Sequence, residues 1–315
     1  MFMGTPDFAV ASLRALVRRQ AGEITVITQP DKPKGRKMIL TPPEVKVYAE
    51  SVGLPVYQPK TLRDEEFDAF LSEKDPDIII VAAYGKILPK SVIDYPKYGC
   101  INVHGSLLPK YRGAAPVQRC LINGETKTGN TIMYMDEGLD TGDIIAQSIV
   151  PISIDDNAET LFEKMALDGA ELLMSVLPNI VSGNIVRKKQ SDADATYAQK
   201  VVKEDCMIDF SMTAEEIHNR VRGLSPYLYA YAMRGQTQLK LVKTALVDRR
   251  TNYLGGTLVL DGNKLYVACQ GGWLLEILEV LPAGKKQMKA TDYLRGNPVK
   301  DGERLIPVRS KLCFG

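Results

Sequence analysis

The chain has 315 residues, 45% of them hydrophobic and 25% charged, and carries a net charge of +2, which is the composition of a globular protein of about two domains. No apolar run approaches the roughly 18 residues that cross a bilayer, and the first residues lack the pattern of a signal peptide, so a cytoplasmic protein without membrane contact is expected. The five cysteines form no C-x-x-C pair, which argues against a disulfide framework and a structural zinc site.

The first part of the chain alternates short apolar runs with helical patterns. Strands are predicted over 23–28, 77–83, 100–104 and 130–135, and the run at 77–83 is apolar enough to be buried on both faces of a sheet. Helices are predicted over 44–52, from Thr61 as N-cap, and over 158–181, where Asp156 and Glu159 resemble a capping pair. This alternation predicts an α/β domain over residues 1–186, with a Rossmann-like parallel sheet and helices on both faces.

The remainder of the chain has a different pattern. Residues 187–206 are polar and weakly periodic, and are predicted to form a linker. The sequence from Thr213 to Glu216 predicts a capping box at the start of a helix. The period-two runs and glycine turns that follow predict closely spaced antiparallel strands, so residues 207–315 are predicted to form a small OB-like β-barrel.

Positive charge is concentrated in this C-terminal part. Residues 207–315 contain 16 Lys and Arg and 10 Asp and Glu, a balance of +6, while the rest contains 24 and 28, a balance of −4. A solvated surface of mixed charge would explain this balance, and so would an anionic partner such as nucleic acid.

An asparagine and a histidine share the strand predicted over 100–104. Asn102 and His104 are two residues apart, so both side chains leave the same face of the strand. They lie toward the end where α/β enzymes place ligands and catalysts. An amide and an imidazole that converge on one point suit a reaction in which negative charge builds up on a carbonyl oxygen. A histidine near a strand end is also commonly structural, and the pattern N-x-H alone does not separate the two roles.

An acidic, turn-rich loop over residues 136–143 follows the strand predicted over 130–135. A carboxylate from this loop can hold a nearby imidazole as imidazolium and can help to remove a proton from an attacking amine. A calcium-binding turn is the alternative, although the loop lacks the regularly spaced ligands of an EF-hand.

Several segments, in order along the chain, resemble one family. Residues 102–113 (NVHGSLLPKYRG) followed by 136–143 (DEGLDTGD) resemble the signature of the folate-dependent formyltransferases. Four further segments are similar to the methionyl-tRNA formyltransferase branch of that family: 2–10 (FMGTPDFAV), 28–36 (TQPDKPKGR), 83–89 (AYGKILP) and 113–117 (GAAPV). The similarity runs nearly end to end, and the joint occurrence of these segments in this order is highly specific.

The resemblance implies a one-carbon transferase that moves the formyl group of 10-formyltetrahydrofolate to the free amine of initiator methionyl-tRNA, for translation initiation, without a metal. It implies that Asn102 and His104 polarise the formyl oxygen, and that Asp140 pairs with His104 and assists proton removal. It also implies that the tetrahydrofolate lies against three segments of the chain. Their residues are Tyr84, Gly85, Lys86, Ile87 and Leu88, then Ser106, Leu107, Leu108 and Pro109, and finally Gly138 and Leu139.

A basic loop, Asp31–Lys37, lies between a predicted strand and the helix predicted over 44–52. A solvated surface loop would explain its charge, but the loop also resembles the insertion with which the family enters the tRNA acceptor stem. Lys34, Arg36 and Lys37 are therefore candidates to bind RNA phosphates or bases. This loop and the basic C-terminal part predict strongly salt-dependent tRNA binding, by a protein expected to be a monomer.

Three other functions stay open on the sequence. A formyltransferase acting on a small amine, such as glycinamide ribonucleotide or an amino-sugar nucleotide, would use the same chemistry, but it needs neither basic segment. A non-catalytic RNA-binding relative would not need Asn102, His104 and Asp140. Hydrolysis of the formyl donor by water would appear as turnover without an acceptor.

Overall fold

The computed structural model describes residues 1–34 and 38–307, and the chain folds into two compact units. Unit 1 comprises Met1–Pro116, Lys127–Pro151 and Phe162–Ala198. Unit 2 comprises Val117–Thr126, Ile152–Leu161 and the chain from Gln199 onward. The domain limits 1–186, 187–206 and 207–315 stay a prediction. No helix within the described ranges is long and apolar enough to span a bilayer.

Nine strands and six helices precede residue 187 in the part of the chain that the structure describes. The strands are β1 (Phe2–Gly4), β2 (Val26–Ile27), β3 (Lys32–Lys34), β4 (Ile39–Thr41), β5 (Val56–Tyr57), β6 (Ile79–Ala82), β7 (Cys100–His104), β8 (Lys127–Tyr134) and β9 (Ile144–Pro151). The helices are α1 (Asp7–Arg18), α2 (Glu44–Ser51), α3 (Glu65–Lys74), α4 (Lys90–Ile93), α5 (Pro116–Ile122) and α6 (Ala158–Ser182).

The main sheet of unit 1 has the strand order β5-β2-β1-β6-β7-β8-β9. The first five strands of this order are parallel, and β8 and β9 extend the sheet antiparallel at one edge. The chain moves outward from β1 through β2 to β5 on one side and from β6 to β7 on the other, so the order reverses between β1 and β6. Crevices beyond the carboxyl ends of strands at such a reversal are where open α/β sheets bind ligands. The predicted α/β fold is confirmed.

Apolar side chains cover both faces of this sheet. Phe2, Ile80 and Val103 pack on one face in a cluster that also contains residues of α1, α2 and α6. Ile79 and Val81 point to the other face, into a cluster with residues of α3 and α4. Successive residues of a strand alternate between faces, and all four residues of β6 are buried. The predicted two-sided burial is therefore confirmed for residues 79–82, whereas Asp77 and Ala83 of the predicted run are exposed.

The start of α3 differs from the prediction. The helix begins at Glu65 and its N-cap is Asp64, whose Oδ1 accepts a hydrogen bond from Phe67 N at 2.9 Å. Thr61 Oγ1 instead accepts from Arg63 N at 3.2 Å. The prediction of Thr61 as N-cap is therefore wrong, because the cap is the residue whose oxygen reaches the third amide of the helix.

The start of α6 also differs from the prediction. Asn157 Oδ1 accepts from Thr160 N at 3.0 Å, which is the bond that an N-cap makes. The Asp156 carboxylate instead accepts from Ser153 N at 2.7 Å through Oδ2 and from the Thr160 hydroxyl at 3.0 Å through Oδ1. The prediction of Asp156 and Glu159 as a capping pair is therefore wrong, because the N-cap is Asn157, one residue after Asp156.

Unit 2 is built on an antiparallel sheet. Its strands are β10 (Ala230–Arg234), β11 (Thr237–Arg250), β12 (Leu258–Asp261), β13 (Lys264–Ala268), β14 (Trp273–Pro282), β15 (Met288–Lys289) and β16 (Leu305–Ile306). Helices α7 (Ala214–Leu224) and α8 (Ala290–Gly296) complete the main elements of unit 2, with short 3₁₀ turns at Lys203–Cys206 and Gln270–Gly272. A further 3₁₀ turn, Asp192–Asp194, belongs to unit 1.

The strand order in unit 2 is β12-β13-β14-β11-β10-β16, with β15 paired to β14. The long strands β11 and β14 contain register shifts, which bend strands and increase their twist. An antiparallel bridge between Thr257 and Arg304 links the two ends of the path. The predicted small β-barrel is confirmed.

Helix α7 of unit 2 begins as the sequence predicts. Thr213 Oγ1 accepts from Glu216 N at 3.1 Å, and the Glu216 carboxylate accepts from Thr213 N at 2.8 Å, which completes the capping box. His218 on this helix is buried, and its Nδ1 lies 2.9 Å from Thr244 Oγ1. Burial lowers the pKa of His218, so this histidine packs as a neutral side chain.

A charged cluster joins three parts of unit 2. The Arg234 guanidinium donates to the two carboxylate oxygens of Glu303 at 2.7 and 2.9 Å, and to the Tyr293 hydroxyl at 2.9 Å. These residues belong to β10, the segment before β16, and α8. The hydrogen bonds from Arg234 hold the pKa of Glu303 below its ordinary value, so folding favours the ionised carboxylate.

We expect Glu303→Gln to lower the free energy of unfolding by about 1 to 3 kcal/mol at neutral pH, because hydrogen bonds to a charged group are lost. Since the folded-state pKa lies below the unfolded-state value, the contribution is complete above about pH 4.3 and disappears as pH falls through the folded-state value. Denaturant unfolding at neutral and acidic pH should show the gap between wild type and variant closing in acid. Glu204→Gln, at an exposed carboxylate, is the control, and a gap that stays constant with pH would contradict the prediction.

Candidate active site

The candidate site of unit 1 is centred on His104, the last residue of β7. Its side chain is only 7% exposed. Nε2 lies 3.1 Å from the carbonyl oxygen of Tyr111, and Nδ1 lies 3.5 Å from Asp140 Oδ2. Both ring nitrogens therefore face oxygen atoms that can only accept hydrogen bonds.

The loop that carries Asp140 follows one face of β7. It begins beside the amino end of the strand, where Met135 N donates to Cys100 O at 2.8 Å, and it reaches His104 at the other end. Asn102 lies between Cys100 and His104 on the same face, because the strand has a period of two. The structure thus brings His104 and Asp140 together from two distant segments, and the strand period places Asn102 on the same face of β7 as His104.

The shape of this loop comes partly from its own sequence. Asp136 Oδ1 accepts from Gly138 N at 3.1 Å and from the Thr141 hydroxyl at 2.7 Å. A side chain at Gly142 would overlap the carbonyl oxygen of Tyr134, so only glycine allows the loop to return to the sheet at this point. The acidic and glycine residues of the loop therefore stabilise the turn as well as supply Asp140.

Main-chain groups from the segment after β7 hold both members of the His104–Asp140 pair. Tyr111 supplies the carbonyl that faces His104, and Gly113 N donates to Asp140 Oδ2 at 2.8 Å. Tyr111 has a φ of 61° and Asp140 a φ of 54°. This left-handed region costs a non-glycine residue about 1 to 3 kcal/mol, so surrounding contacts must hold both residues in place.

Those contacts come from within the range predicted to be a linker. Arg112 N donates to Thr196 O at 2.8 Å, Ala198 N donates to Arg112 O at 2.7 Å, and Tyr111 N donates to Thr196 Oγ1 at 2.9 Å. Residues 190–198, here called the bracing segment, therefore pair with the chain beside His104. The sequence offered no signal for this role, because backbone groups make most of these bonds and any sequence supplies them.

The segment Ser106–Pro109, predicted to line the folate site, is fixed from inside the protein. Ser106 is buried and its hydroxyl donates to Lys110 O at 2.6 Å, and Leu108 is buried against Met133 and Ile144. Leu107 and Pro109 are partly exposed. These last two side chains are the parts of the segment that face outward.

A buried threonine of β8 holds this segment in place by hydrogen bonds. Thr131 Oγ1 donates to Ser106 O at 2.6 Å and accepts from Leu108 N at 3.1 Å. Gln147 Nε2 donates to Thr131 Oγ1 and to Leu108 O, both at 2.9 Å. Two antiparallel strands therefore hold the main chain of the predicted folate segment through side-chain bonds.

The second predicted folate segment, Tyr84–Leu88, follows β6. The Tyr84 ring lies in the core, where burial raises its pKa to about 12, and Leu88 packs in the same cluster. Lys86 Nζ donates to Pro59 O at 3.1 Å and to Lys60 O at 2.7 Å. Ile87 is 80% exposed.

The carbonyl of Tyr84 anchors this segment near the point where the strand order reverses, between β1 and β6. It accepts from the Thr5 hydroxyl at 2.8 Å and from Gln29 Nε2 at 3.2 Å. The remaining predicted folate residues, Gly138 and Leu139, are exposed at the tip of the acidic loop. Ile87 and Leu139 are thus exposed apolar side chains in the two loops predicted to flank the pterin.

The basic loop predicted to contact tRNA contains the β3–β4 hairpin. Lys34 is 70% exposed and its Nζ lies 3.0 Å from the Glu44 carboxylate. Arg36 and Lys37 lie outside the described residues. Beyond them, Ile39 and Leu40 of β4 are exposed apolar side chains.

Family models and curated relatives match the chain over nearly its whole length. A model described as "Formyl transferase" matches residues 1–177, and one described as "Formyl transferase, C-terminal domain" matches residues 200–298. The methionyl-tRNA formyltransferase of Bacillus velezensis is 47% identical over 307 residues, covering 97% of this chain and 96% of the relative. That of Bacillus subtilis is 45% identical, with the same coverage.

Solved structures share the fold at lower sequence identity. An N-formyltransferase from Helicobacter canadensis, in complex with folinic acid and dTDP-3-aminofucose, is similar with a TM-score of 0.66 and 22% identity, over 88% of this chain and 97% of its own. A methionyl-tRNA formyltransferase from Clostridium thermocellum has a TM-score of 0.54 and 18% identity, over 78% of this chain and 92% of its own.

We expect Thr131→Val to lower the free energy of unfolding by about 1 to 3 kcal/mol, because it keeps the shape of the side chain but leaves Leu108 N as a buried donor without a partner. Chemical denaturation monitored by fluorescence or circular dichroism measures the change. Thr126→Val, at an exposed residue, is the control and should change stability by less than about 0.5 kcal/mol. Equal stability of the two variants would show that the Thr131 hydroxyl does not hold the segment.

Proposed function

This chain belongs to the methionyl-tRNA formyltransferase family, and on that premise we propose that it transfers the formyl group of 10-formyltetrahydrofolate to the free amine of initiator methionyl-tRNA. The observation that carries the proposal is the approach of His104 to Asp140 at the carboxyl end of β7, on the strand whose same face also carries Asn102. Because charged tRNA and folate are soluble substrates of translation and one-carbon metabolism, we infer a cytoplasmic enzyme, and we propose that it acts as a monomer.

The reaction needs stabilisation of an oxyanion. The neutral methionyl amine attacks the formyl carbon, a C–N bond forms, and the formyl oxygen gains negative charge. The bond between the formyl carbon and the folate nitrogen then breaks as that nitrogen takes up a proton. We assign the Asn102 amide and the His104 ring to the formyl oxygen, since donors aimed at a developing oxyanion lower the barrier most. His104 Nε2 would donate to that oxygen in place of Tyr111 O, which it faces in the protein without substrate.

Asp140 has two roles in this proposal. Its carboxylate, 3.5 Å from His104 Nδ1, balances positive charge on the ring while the oxyanion forms. The same carboxylate accepts the proton that the attacking nitrogen loses, directly or through one water. The hydrogen bond from Gly113 N to Asp140 Oδ2 orients the carboxylate.

The folate donor fits the surface formed by the loops after β6, β7 and β8. Ile87 and Leu139 expose apolar side chains, which suit the flat faces of a pterin ring. Backbone groups near Gly85 and Gly138 would meet its polar edge. The buried side chains of Ser106 and Leu108 support this surface from below and do not contact the donor in our proposal.

The acceptor is bound by positive charge. Lys34 on the β3–β4 hairpin, with Arg36 and Lys37 beside it in sequence, would meet phosphates of the acceptor stem. The basic residues of unit 2 would add further phosphate contacts, since affinity for nucleic acid comes largely from such ion pairs. A small amine would need neither group of charges.

Purified full-length protein, 10-formyltetrahydrofolate and a panel of acceptors test the proposal directly. The panel contains methionyl initiator tRNA, methionyl elongator tRNA, glycinamide ribonucleotide and an amino-sugar nucleotide. Formylation of the initiator tRNA alone, or most rapidly, is the expected result. Turnover on a small amine, or donor hydrolysis without any acceptor, would replace the proposed function with one of its rivals.

In the same assay we expect His104→Asn and Asp140→Asn each to lower kcat by about 100-fold or more, because each removes a group that acts on charge or protons in the transition state. Circular dichroism spectra and thermal melting should stay close to wild type, since neither residue belongs to an apolar cluster. Near-normal kcat in either folded variant would remove that residue from the mechanism.

We expect tRNA binding to weaken steeply as salt concentration rises, because bound phosphates release counterions. Lys34→Ala should weaken binding and reduce the slope of log affinity against log salt by about 1, the value for one lost phosphate contact. Lys74→Ala, which also removes a lysine beside a glutamate, is the matched control. A slope that Lys34→Ala leaves unchanged would contradict a role for this lysine in RNA binding.

A further inference from the structure

The side chain of Gln190 joins the acidic loop to the bracing segment. Its Nε2 donates to two carbonyl oxygens of the loop, Asp140 O and Gly142 O, both at 2.8 Å. These carbonyls lie on either side of Thr141, so a single amide group closes around the turn that presents the Asp140 carboxylate. Both hydrogen atoms of the amide are used, and both are directed at the main chain of this turn.

The other end of the same amide is held by a buried arginine. Gln190 Oε1 accepts from Arg112 Nε at 3.1 Å and from Arg112 Nη2 at 2.9 Å. Arg112 is 2% exposed, and its third contact is an ion pair from Nη1 to Asp192 Oδ1 at 2.9 Å. A bidentate contact from a planar guanidinium fixes the plane of the amide, so the two N–H bonds have little freedom to change direction.

Arg112 lies between the two main-chain groups that contact the His104–Asp140 pair. Tyr111 O faces His104 Nε2 at 3.1 Å, and Gly113 N donates to Asp140 Oδ2 at 2.8 Å. A continuous path of hydrogen bonds therefore runs from the segment beside His104, through Arg112 and Gln190, to the backbone of Asp140. Gly113 holds the carboxylate of Asp140, and Gln190 holds the main chain of the same residue from the other side.

The backbone conformation of Asp140 requires this second set of contacts, from Gln190. Asp140 is in the left-handed region with a φ of 54°, which non-glycine residues adopt only when neighbouring contacts require it. Asp136 stabilises the first half of the loop through Gly138 and Thr141. Gln190 is the side chain that binds the carbonyls of Asp140 and Gly142, in the second half.

We propose that Gln190 is a positioning residue for the reaction: held by Arg112, its amide sets the backbone of Asp140 so that the carboxylate faces His104. The proposal rests on the function proposed above and names the residue that orients its acid–base group. Gln190 does not touch the substrates. Its effect is on kcat, because a displacement of about 1 Å at a reacting group is enough to cost two orders of magnitude in rate.

Two substitutions separate this role from simple stabilisation. Gln190→Glu keeps the length of the side chain and the bond to Arg112, but it turns an oxygen toward the two loop carbonyls and repels them. Gln190→Met keeps the volume and removes all of the hydrogen bonds. Gln20→Glu, at an exposed glutamine of unit 1, makes the same charge change away from the site and is the matched control.

We expect kcat to fall by about 10- to 100-fold in both Gln190 variants. KM for the folate donor and for methionyl-tRNA should stay at the wild-type values, since neither binding surface is altered. Rates are measured below the melting temperature of every variant, and the folded fraction is determined by near-UV circular dichroism. Gln20→Glu should match wild type in all of these measurements.

The outcomes are distinct. A wild-type kcat in either folded Gln190 variant overturns the proposal, and so does a rise in KM that accounts for the whole loss of kcat/KM. Failure of both variants to fold makes Gln190 a stability residue and also overturns it. Wild-type protein that does not formylate methionyl-tRNA refutes the proposed function instead, so the two failures are told apart by the first measurement.

Discussion

His104 and Asp140 are held together by main-chain groups of one short segment, and the rest of the site depends on that arrangement. Tyr111 O faces the imidazole and Gly113 N binds the carboxylate, so the separation of the pair is set by two residues of backbone. Backbone groups have no rotamers to lose, which makes them precise supports for reacting side chains. The loop of Asp140 needs further contacts of its own, because this segment binds only one oxygen atom of that residue.

The bracing segment completes the arrangement at its outer side. Thr196 and Ala198 pair with the backbone of residues 111–115, and Gln190 binds the carbonyls of the acidic loop. The two strained residues, Tyr111 and Asp140, are thereby each tied to one element that contains no proposed catalytic residue. Strained backbone at a reactive site is tolerated only where such surrounding contacts over-determine it. The polar composition of this segment follows from that task, because its side chains and amides bind other backbone instead of apolar surface.

The fold places this pair near the reversal of strand order, the kind of position at which open α/β sheets bind ligands. The strand order reverses between β1 and β6, and the loops that follow β1 and β6 meet there through Thr5 and Tyr84. One strand further along, β7 ends at His104. The exposed apolar side chains Ile87 and Leu139 belong to loops on the same unit, so a donor and the reacting pair can share one edge of the sheet. The basic residues that would bind RNA come from other segments of the sequence. Substitutions can therefore change the charge that binds RNA without changing the geometry of the His104–Asp140 pair.

The amino-acid sequence by itself determined the local features of this protein. Strand β7 has the predicted limits, Asn102 and His104 share its face, and the capping box at Thr213 forms as predicted, because strand period and capping depend on residues close in the chain. Tertiary structure decided the rest. Strand β9, with Gln147 and Ser148 at its centre, lacks a clear apolar pattern and is defined by pairing with β8. The approach of Asp140 to His104, and the contacts of Tyr111, Gly113 and Gln190 that maintain it, join residues as many as 85 positions apart, and most of these contacts have a backbone atom on at least one side. Such contacts leave no residue pattern, so only the folded chain shows them.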